Sequence, residues 1–518
     1  MAPTYLHPKK KQTTHLSRLL ASALLGLMVS AAPSVKAQSI DDLFGGPPPA
    51  PKKSKPKAST PAPAVAPQET VAPQAPPVPA ATAPGQPASP VAQPAAEPAP
   101  APLPVLAEAS SKGQPDASRP TLTGFYQNDL AYTYAGDGHW SRFNNTLDLS
   151  AQGRTPGGMG WKLGGRVYYD PIYDLTNYYP KAVREDQRFE AMIREAYVDL
   201  GVGDWDFRLG RQHVVWGEMV GLFFADVVSA KDLRQLVLPD FDMIRIPQWA
   251  ARAEYFSGDF HAEGVWIPTM TYDDIGKPGA EFYPLNPPAI PGYQTIIAKE
   301  KKPAGLDDAA YGARLSWLKG GWDVSGFYYT ANDPAAAFSR QTSLSTITYQ
   351  PLHKRIHQLG ATLGKDLGPV VLKAEAIYTR DKLFNTTDAA DVDGLVKQNM
   401  LDYIVGLEWS FPQETRFNVQ LFQRWFPNHD ASIVPDKTES GVSLLLSTQA
   451  LHPKLESEIL LVRSLNRNDW STQFKLTWKL DGNWRLATGV DIFEGPASSL
   501  FGAFDDKDRV YTEARYSF

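Results

Sequence analysis

The chain has no cysteine, which excludes disulfides and thiolate metal sites. Beyond its N-terminal region it has no run of about 18 apolar residues, so no transmembrane helix is expected. Its net charge is only −5 over 518 residues, which argues against nucleic acid as a partner. The nine histidines do not cluster at metal-ligand spacing. His353 and His357 fall four apart, but they open a strand-like run. No metal and no cofactor are expected. Gly-x-Ser-x-Gly, phosphate-loop and dinucleotide fingerprints are also missing, so no catalytic residue is assigned and an enzyme is not expected. One nucleophile–base pairing deserves a test for a hydrolase, His213 with Ser229. Asp307-Asp308 and Asp505-Asp506 read as solvated loop charge.

What the chain does have is a two-residue period. In the last ten residues Val510, Thr512, Ala514, Tyr516 and Phe518 share one strand face, and Arg509, Tyr511, Glu513, Arg515 and Ser517 share the other. The same pattern recurs from Leu122 onward. Leu147 and Leu149 alternate with Asp148 and Ser150. Leu163 and Val167 alternate with Lys162 and Arg166, and Ala251 and Ala253 with Arg252 and Glu254. Many such runs in succession predict antiparallel strands of one sheet. A soluble sandwich would bury the apolar face and leave a polar exterior. Here apolar residues alternate with charges, and aromatics make up 11% of the chain, including 13 Trp and 22 Tyr. That composition fits a transmembrane antiparallel β-barrel with aromatic girdles. The runs predict about 18 strands over 121–518, with about 16 as the alternative.

The connections alternate too. Short turns are expected at 156–160, 201–204, 258–259, 319–321, 365–369, 412–414 and 481–483. Long loops are expected at 171–188, 268–308, 332–352, 381–396 and 494–508. Short turns on one rim and long loops on the other are the habit of outer-membrane barrels. An even strand count returns both barrel ends to the short-turn, periplasmic rim. A terminal strand ending on Tyr516 and Phe518 resembles the signal that barrel assembly machinery reads.

The N-terminus reads as a signal peptide over 1–37. Lys9, Lys10, Lys11 and Arg18 precede the apolar run Leu19 to Val29, and Val35-Lys36-Ala37 is a cleavage-like site. A short peptide, QSIDDLFGG, occupies 38–46 and offers itself to a periplasmic partner. Residues 47–120 are rich in Pro and Ala and are expected to be a disordered periplasmic linker. The expected location is the outer membrane of a Gram-negative bacterium, with lipid around the barrel.

On the inward face, Asp148, Arg166, Arg252, Glu254, Arg314, Arg485, Asp491, Glu513 and Arg515 are expected to form a wet lumen wall. The stretch after Trp205 breaks the pattern. Continued parity would aim Arg211 at lipid, so the strand is expected either to bulge or to leave the membrane near Gly210. The following residues mix Trp216, Phe223 and Phe224 with charge and lack alternation. A loop of that length usually has a task. It is expected either to fold into the lumen as a constriction or to cap the outer rim. The constriction candidates are Arg211, Glu218, Asp226, Asp232, Arg234, Asp242 and Arg245. Tyr168-Tyr-Asp-Pro-Ile-Tyr173 and Tyr178-Tyr179 could stack on ring compounds or anchor at the interface.

This stretch also carries a resemblance. Leu209-Gly-Arg-Gln-His-Val-Val-Trp-Gly-Glu218, Asp226, Asp232-Leu-Arg234 and Arg245-Ile-Pro247 resemble the porin-like domain-of-unknown-function-1302 family. Ser229-Ala230 replaces the Asn-Pro typical of that family's Asp-x-x-Asn-Pro-x-Asp-Leu element. The clear resemblance covers roughly 195–256. It implies an outer-membrane protein linked to hydrophobic or aromatic compounds, and it supplies no catalytic residue. The resulting expectation is a passive channel for small solutes. An adhesin or scaffold for a surface polymer, or an outer-membrane hydrolase, are the alternatives.

Overall fold

The computed structural model describes residues 120–217, 219, 225–283 and 292–518. The expected signal peptide, the 38–46 peptide and all but the last residue of the linker lie outside the described residues, as do Glu218, Phe223 and Phe224.

The described chain forms an 18-stranded antiparallel sheet closed on itself. Its first half runs β1 (Thr121–Thr133), β2 (His139–Arg154), β3 (Gly160–Tyr169), β4 (Phe189–Val202), β5 (Trp205–Gln212), β6 (Gln248–Ser257), β7 (Phe260–Thr269), β8 (Ala310–Lys319) and β9 (Trp322–Asn332). The second half runs β10 (Arg355–Asp366), β11 (Val370–Asn385), β12 (Leu395–Phe411), β13 (Thr415–Trp425), β14 (Thr438–His452), β15 (Leu455–Ser464), β16 (Trp470–Lys479), β17 (Trp484–Glu494) and β18 (Arg509–Ser517). Each strand pairs with the next, and β1 pairs with β18 in the register Phe125↔Ser517. Gly124 and Phe518 exchange backbone hydrogen bonds of 2.9 and 3.0 Å at that seam. Closure leaves the sheet without an edge, so every strand can satisfy its backbone polar groups in lipid.

The pleat sorts the side chains. On β9 Ser325, Phe327, Tyr329 and Ala331 are buried inside, while Trp322, Val324 and Tyr328 are exposed outside. Leu163, Leu209, Leu315, Leu359 and Leu421 stand more than half exposed on the exterior. An exterior this apolar is stable only against hydrocarbon. Among the described residues no helix is long and apolar enough to cross a membrane.

The two rims differ as expected. β8 and β9 meet through Gly320-Gly321, whose φ values of 60° and 73° suit a tight hairpin turn. The opposite rim carries the long connections. In 170–188, short helices at Ile172–Leu175 and Lys181–Gln187 enclose Ile172, Tyr173, Tyr179 and Val183 in a small core. Tyr173 and Tyr179 are therefore packing residues, each 3% exposed, and not a stacking surface. Gln294–Ile297, Ala337–Thr342 and Thr346–Leu352 build a separate three-stranded sheet from two other loops.

Candidate functional site

The site begins where β5 ends. Gly210 has φ +129°, and a Cβ there would sit 2.1 Å from the Ala196 carbonyl oxygen, so only glycine fits. Of the two expected outcomes the strand does not bulge; it ends at Gln212. The ladder stays in register, Gly210 pairing Tyr197 and Ala250 and Gln212 pairing Gln248. Arg211, the next residue, lines an internal cavity.

From His213 the described residues lie inside the barrel. Trp216, 1% exposed, packs against Phe327 and Tyr329 of β9 at centroid distances of 5.2 and 5.9 Å. A Cβ on Gly312 of β8 would lie 2.6 Å from its indole. A Cβ on Gly406 of β12 would lie 3.1 Å from the Met219 methyl. The amide of Ala225 donates to Glu375 on β11 at 2.8 Å. Farther along, Gln235 accepts from Arg509 of β18 at 3.0 Å, and Asp240 meets Lys475 of β16 at 3.5 Å. Leu236 and Leu238 join a cluster with Phe282, Val462, Phe493 and Phe504. Contacts to inward faces on several sides of the ring place the described residues of 213–247 in the lumen and not on the rim.

Inside this segment the charges are organised in pairs. Asp226 is 2% exposed and accepts from Arg245 Nε at 2.7 Å. Both residues, expected as constriction candidates, are buried. They clamp two ends of the segment, beside a short pairing of Ala230–Lys231 with Arg245–Ile246. Asp242 is largely exposed and lies 3.8 Å from Arg245. Arg234 gathers carboxylates: Asp232 at 2.6 Å, Glu190 of β4 at 2.8 Å and Asp274 at 3.6 Å. It also donates to the Tyr168 hydroxyl. Burial and then Arg234 act oppositely on the Asp232 carboxyl, with a net lowering, while burial raises Asp274.

Between the segment and β2–β5 lies a cavity of about 260 Å³. Arg211, Asp232 and Arg234 all reach it. Sequence reasoning missed Arg142, Glu190 and Arg194, which line it too. Arg194 could have been found only from the ladder, which shifts register at Gly164/Gly165 and leaves an extra residue on β4. Asp170 borders the same cavity. Its Oδ1 accepts from the Phe143 and Ile172 amides, both at 3.0 Å, and burial pushes its carboxyl up to about 6.

The expected wall residues face the lumen, mostly paired. Arg166 Nε meets Asp148 at 2.8 Å, Arg252 meets Glu254 at 2.6 Å, and Arg509 meets Asp491 at 2.7 Å. Glu513 meets Lys475 at 3.1 Å. Arg314 donates to Ser325 at 3.0 Å, and the Arg515 guanidinium lies 3.6 Å from the Phe125 ring centroid. Arg485 is exposed near the short-turn rim.

The hydrolase pairing does not form. Ser229 Oγ is buried and donates to the Val214 carbonyl, while His213 Nε2 faces Arg194 at 3.4 Å. Among the described residues no group of His, Asp or Glu is arranged to hold a metal.

A closed barrel with an apolar exterior, a charged interior and a segment packed across its lumen defines the porin-like class. Within that class, the chain belongs to the family described as "Protein of unknown function (DUF1302)", whose sequence profile matches residues 82–518. The match extends far beyond the sixty or so residues that carry the visible motif. Among solved structures, OccAB1 of Acinetobacter baumannii is similar at 9% identity, with a TM-score of 0.50 over 77% of this chain and 96% of that one. OccK8 (OprE) of Pseudomonas aeruginosa gives 11% identity and a TM-score of 0.47, covering 77% and 98%. OmpF of Salmonella typhi, solved with daunomycin, gives 10% and 0.40, covering 78% and 98%. At such identities the likeness to OccAB1 is one of fold. No curated protein matches the chain.

Proposed function

We propose that the protein is a passive outer-membrane channel for small solutes, narrowed by the segment 213–247. The observation that carries this reading is the segment itself. It crosses the lumen, is anchored on opposite walls, and leaves a cavity beside a charged wall. Such an interior holds water, and water beside fixed charge is a route for polar and amphipathic solutes. The family resemblance adds hydrophobic or aromatic compounds as the solute class. Tyr516 and Phe518 serve as the assembly signal, and 38–46 is the segment that would meet a periplasmic partner.

Liposome swelling tests the reading directly. Purified protein should admit small sugars, and deletion of 219–243 should increase both swelling rate and single-channel conductance. Liposomes that stay sealed with the wild type and with the deletion would refute the channel and favour a scaffold or adhesin.

A further inference from the structure

The cavity has two chemically different sides. On the wall, Arg166, Arg194 and Arg211 stand on the successive strands β3, β4 and β5. Among the described residues, Arg166 alone of the three has a carboxylate partner, Asp148 at 2.8 Å. Arg194 donates to the carbonyls of Arg245 and Asp242 at 2.6 and 2.7 Å, which are neutral acceptors. Arg211 Nε is buried with no hydrogen-bond partner among the described residues. The carboxylates that also border the cavity are committed elsewhere. Asp232, Glu190 and Asp274 surround Arg234, and Asp170 binds backbone amides. The lumen segment supplies the other side with Pro239, Met243, Ile244 and Ile246.

A buried guanidinium nitrogen with no acceptor is costly, and an anion beside Arg211 Nε relieves that cost. A local excess of positive charge also shows at His213. Burial first, then Arg194, Arg245 and Arg166, push its imidazole down to about 3. The volume of about 260 Å³ lies below that of a drug-sized pocket.

We infer that this cavity is a binding subsite for a small amphipathic anion, a carboxylate on an apolar or aromatic body. The carboxylate sits on Arg194 and Arg211, whose planar forks suit it. The body lies against Met243, Ile244 and Ile246. This deepens the channel reading by naming the solute class, and it rests on that reading for its role in transport.

The test uses the full chain folded in detergent, with native-like heat-modifiable migration as the check on folding. Benzoate, benzyl alcohol and benzylammonium are titrated by calorimetry. Benzoate should bind at least about tenfold more tightly than the other two, the scale of one charge-assisted hydrogen bond. Arg211→Gln should weaken benzoate by about tenfold, and Arg211→Lys by less. Equal binding of the three compounds, no benzoate binding, or unchanged binding in a folded Arg211→Gln protein would overturn the subsite. Planar-bilayer conductance on the same samples separates the two readings. Conductance without benzoate binding sinks the subsite and leaves the channel. Benzoate binding without conductance sinks the channel and leaves the subsite.

Discussion

Replacing Trp216 by Ala should undock the lumen segment while leaving the barrel folded. The indole is 1% exposed and wedged against Phe327, Tyr329 and the bare backbone of Gly312. A buried Trp removes some 150–250 Å² from water, worth about 4–6 kcal/mol at ~25 cal/mol per Å². Core truncations of this size cost about 3–5 kcal/mol, so about 4 kcal/mol is a fair figure. At 1.4 kcal/mol per decade, the ratio of docked to undocked segment falls roughly a thousandfold. The barrel loses little, because its strands are held by the closed ladder and not by Trp216. In planar bilayers the variant should show noisier and larger current steps than wild type. Added protease should cut within 213–247 first, and the heat-modifiable shift should survive. Quiet wild-type steps together with wild-type protease resistance in a folded Trp216→Ala protein would refute the argument.

Other outcomes follow from single sites. Gly210→Ala forces a Cβ to 2.1 Å from the Ala196 carbonyl at φ +129°, so the folded yield should fall sharply; an unchanged yield and melting point would contradict it. Asp226→Asn removes the buried carboxylate that Arg245 meets at 2.7 Å, a loss of about 1.5–3 kcal/mol for a charged hydrogen bond that should loosen the segment in the direction Trp216→Ala does; proteolysis indistinguishable from wild type would count against the clamp. Deleting Phe518 removes the ring and the two seam hydrogen bonds to Gly124, so outer-membrane levels should drop, and normal levels with normal heat-modifiability would sink the assembly role. Asp170 has its folded-state carboxyl raised from 3.8 to about 6 by burial, so loop 170–188 should be most protected from exchange below about pH 4 and lose that protection as pH rises through 6. Asp170→Asn, which keeps the accepting oxygen, should flatten that dependence, and an unaltered pH slope in the variant would show that another group titrates.

The barrel was legible because its two-residue period is a local property. Leu147 and Asp148 announce outside and inside without any knowledge of the rest of the chain. The rims were legible for the same reason, since turn residues are local. The destination of 213–247 was only half legible. Broken parity at Arg211 showed that the strand ends, but not that a glycine with φ +129° stands just before its end. Burial of Asp226 against Arg245 was hidden, because residues nineteen apart in a loop carry no pattern that says they meet. Arg194 was missed because it depends on a register shift, which is set by two strands and not by one. The tyrosines of 168–179 were ambiguous, and packing against Val183 settled two of them as a loop core.

The pairing of the wall charges bears on ion selectivity. A carboxylate and a guanidinium held at 2.7 Å, as at Asp491 and Arg509, act on a passing ion as a dipole, whose influence falls off faster than that of a single charge. Most of the lumen wall is arranged this way, at Arg166 with Asp148, Arg252 with Glu254, and Lys475 with Glu513. Such a wall attracts water without strongly preferring either sign. Preference then falls to the charges left over after pairing. Among the described residues near the cavity these are Arg194, with neutral acceptors, and Arg211, whose buried Nε has no acceptor. Two residual cations in a space of about 260 Å³ weigh more than the many paired charges around them, because the confined site screens them less than open water would. A channel built this way should discriminate weakly between simple salts. It should discriminate more strongly among solutes that carry both an anion and an apolar body, since only those use both sides of the cavity.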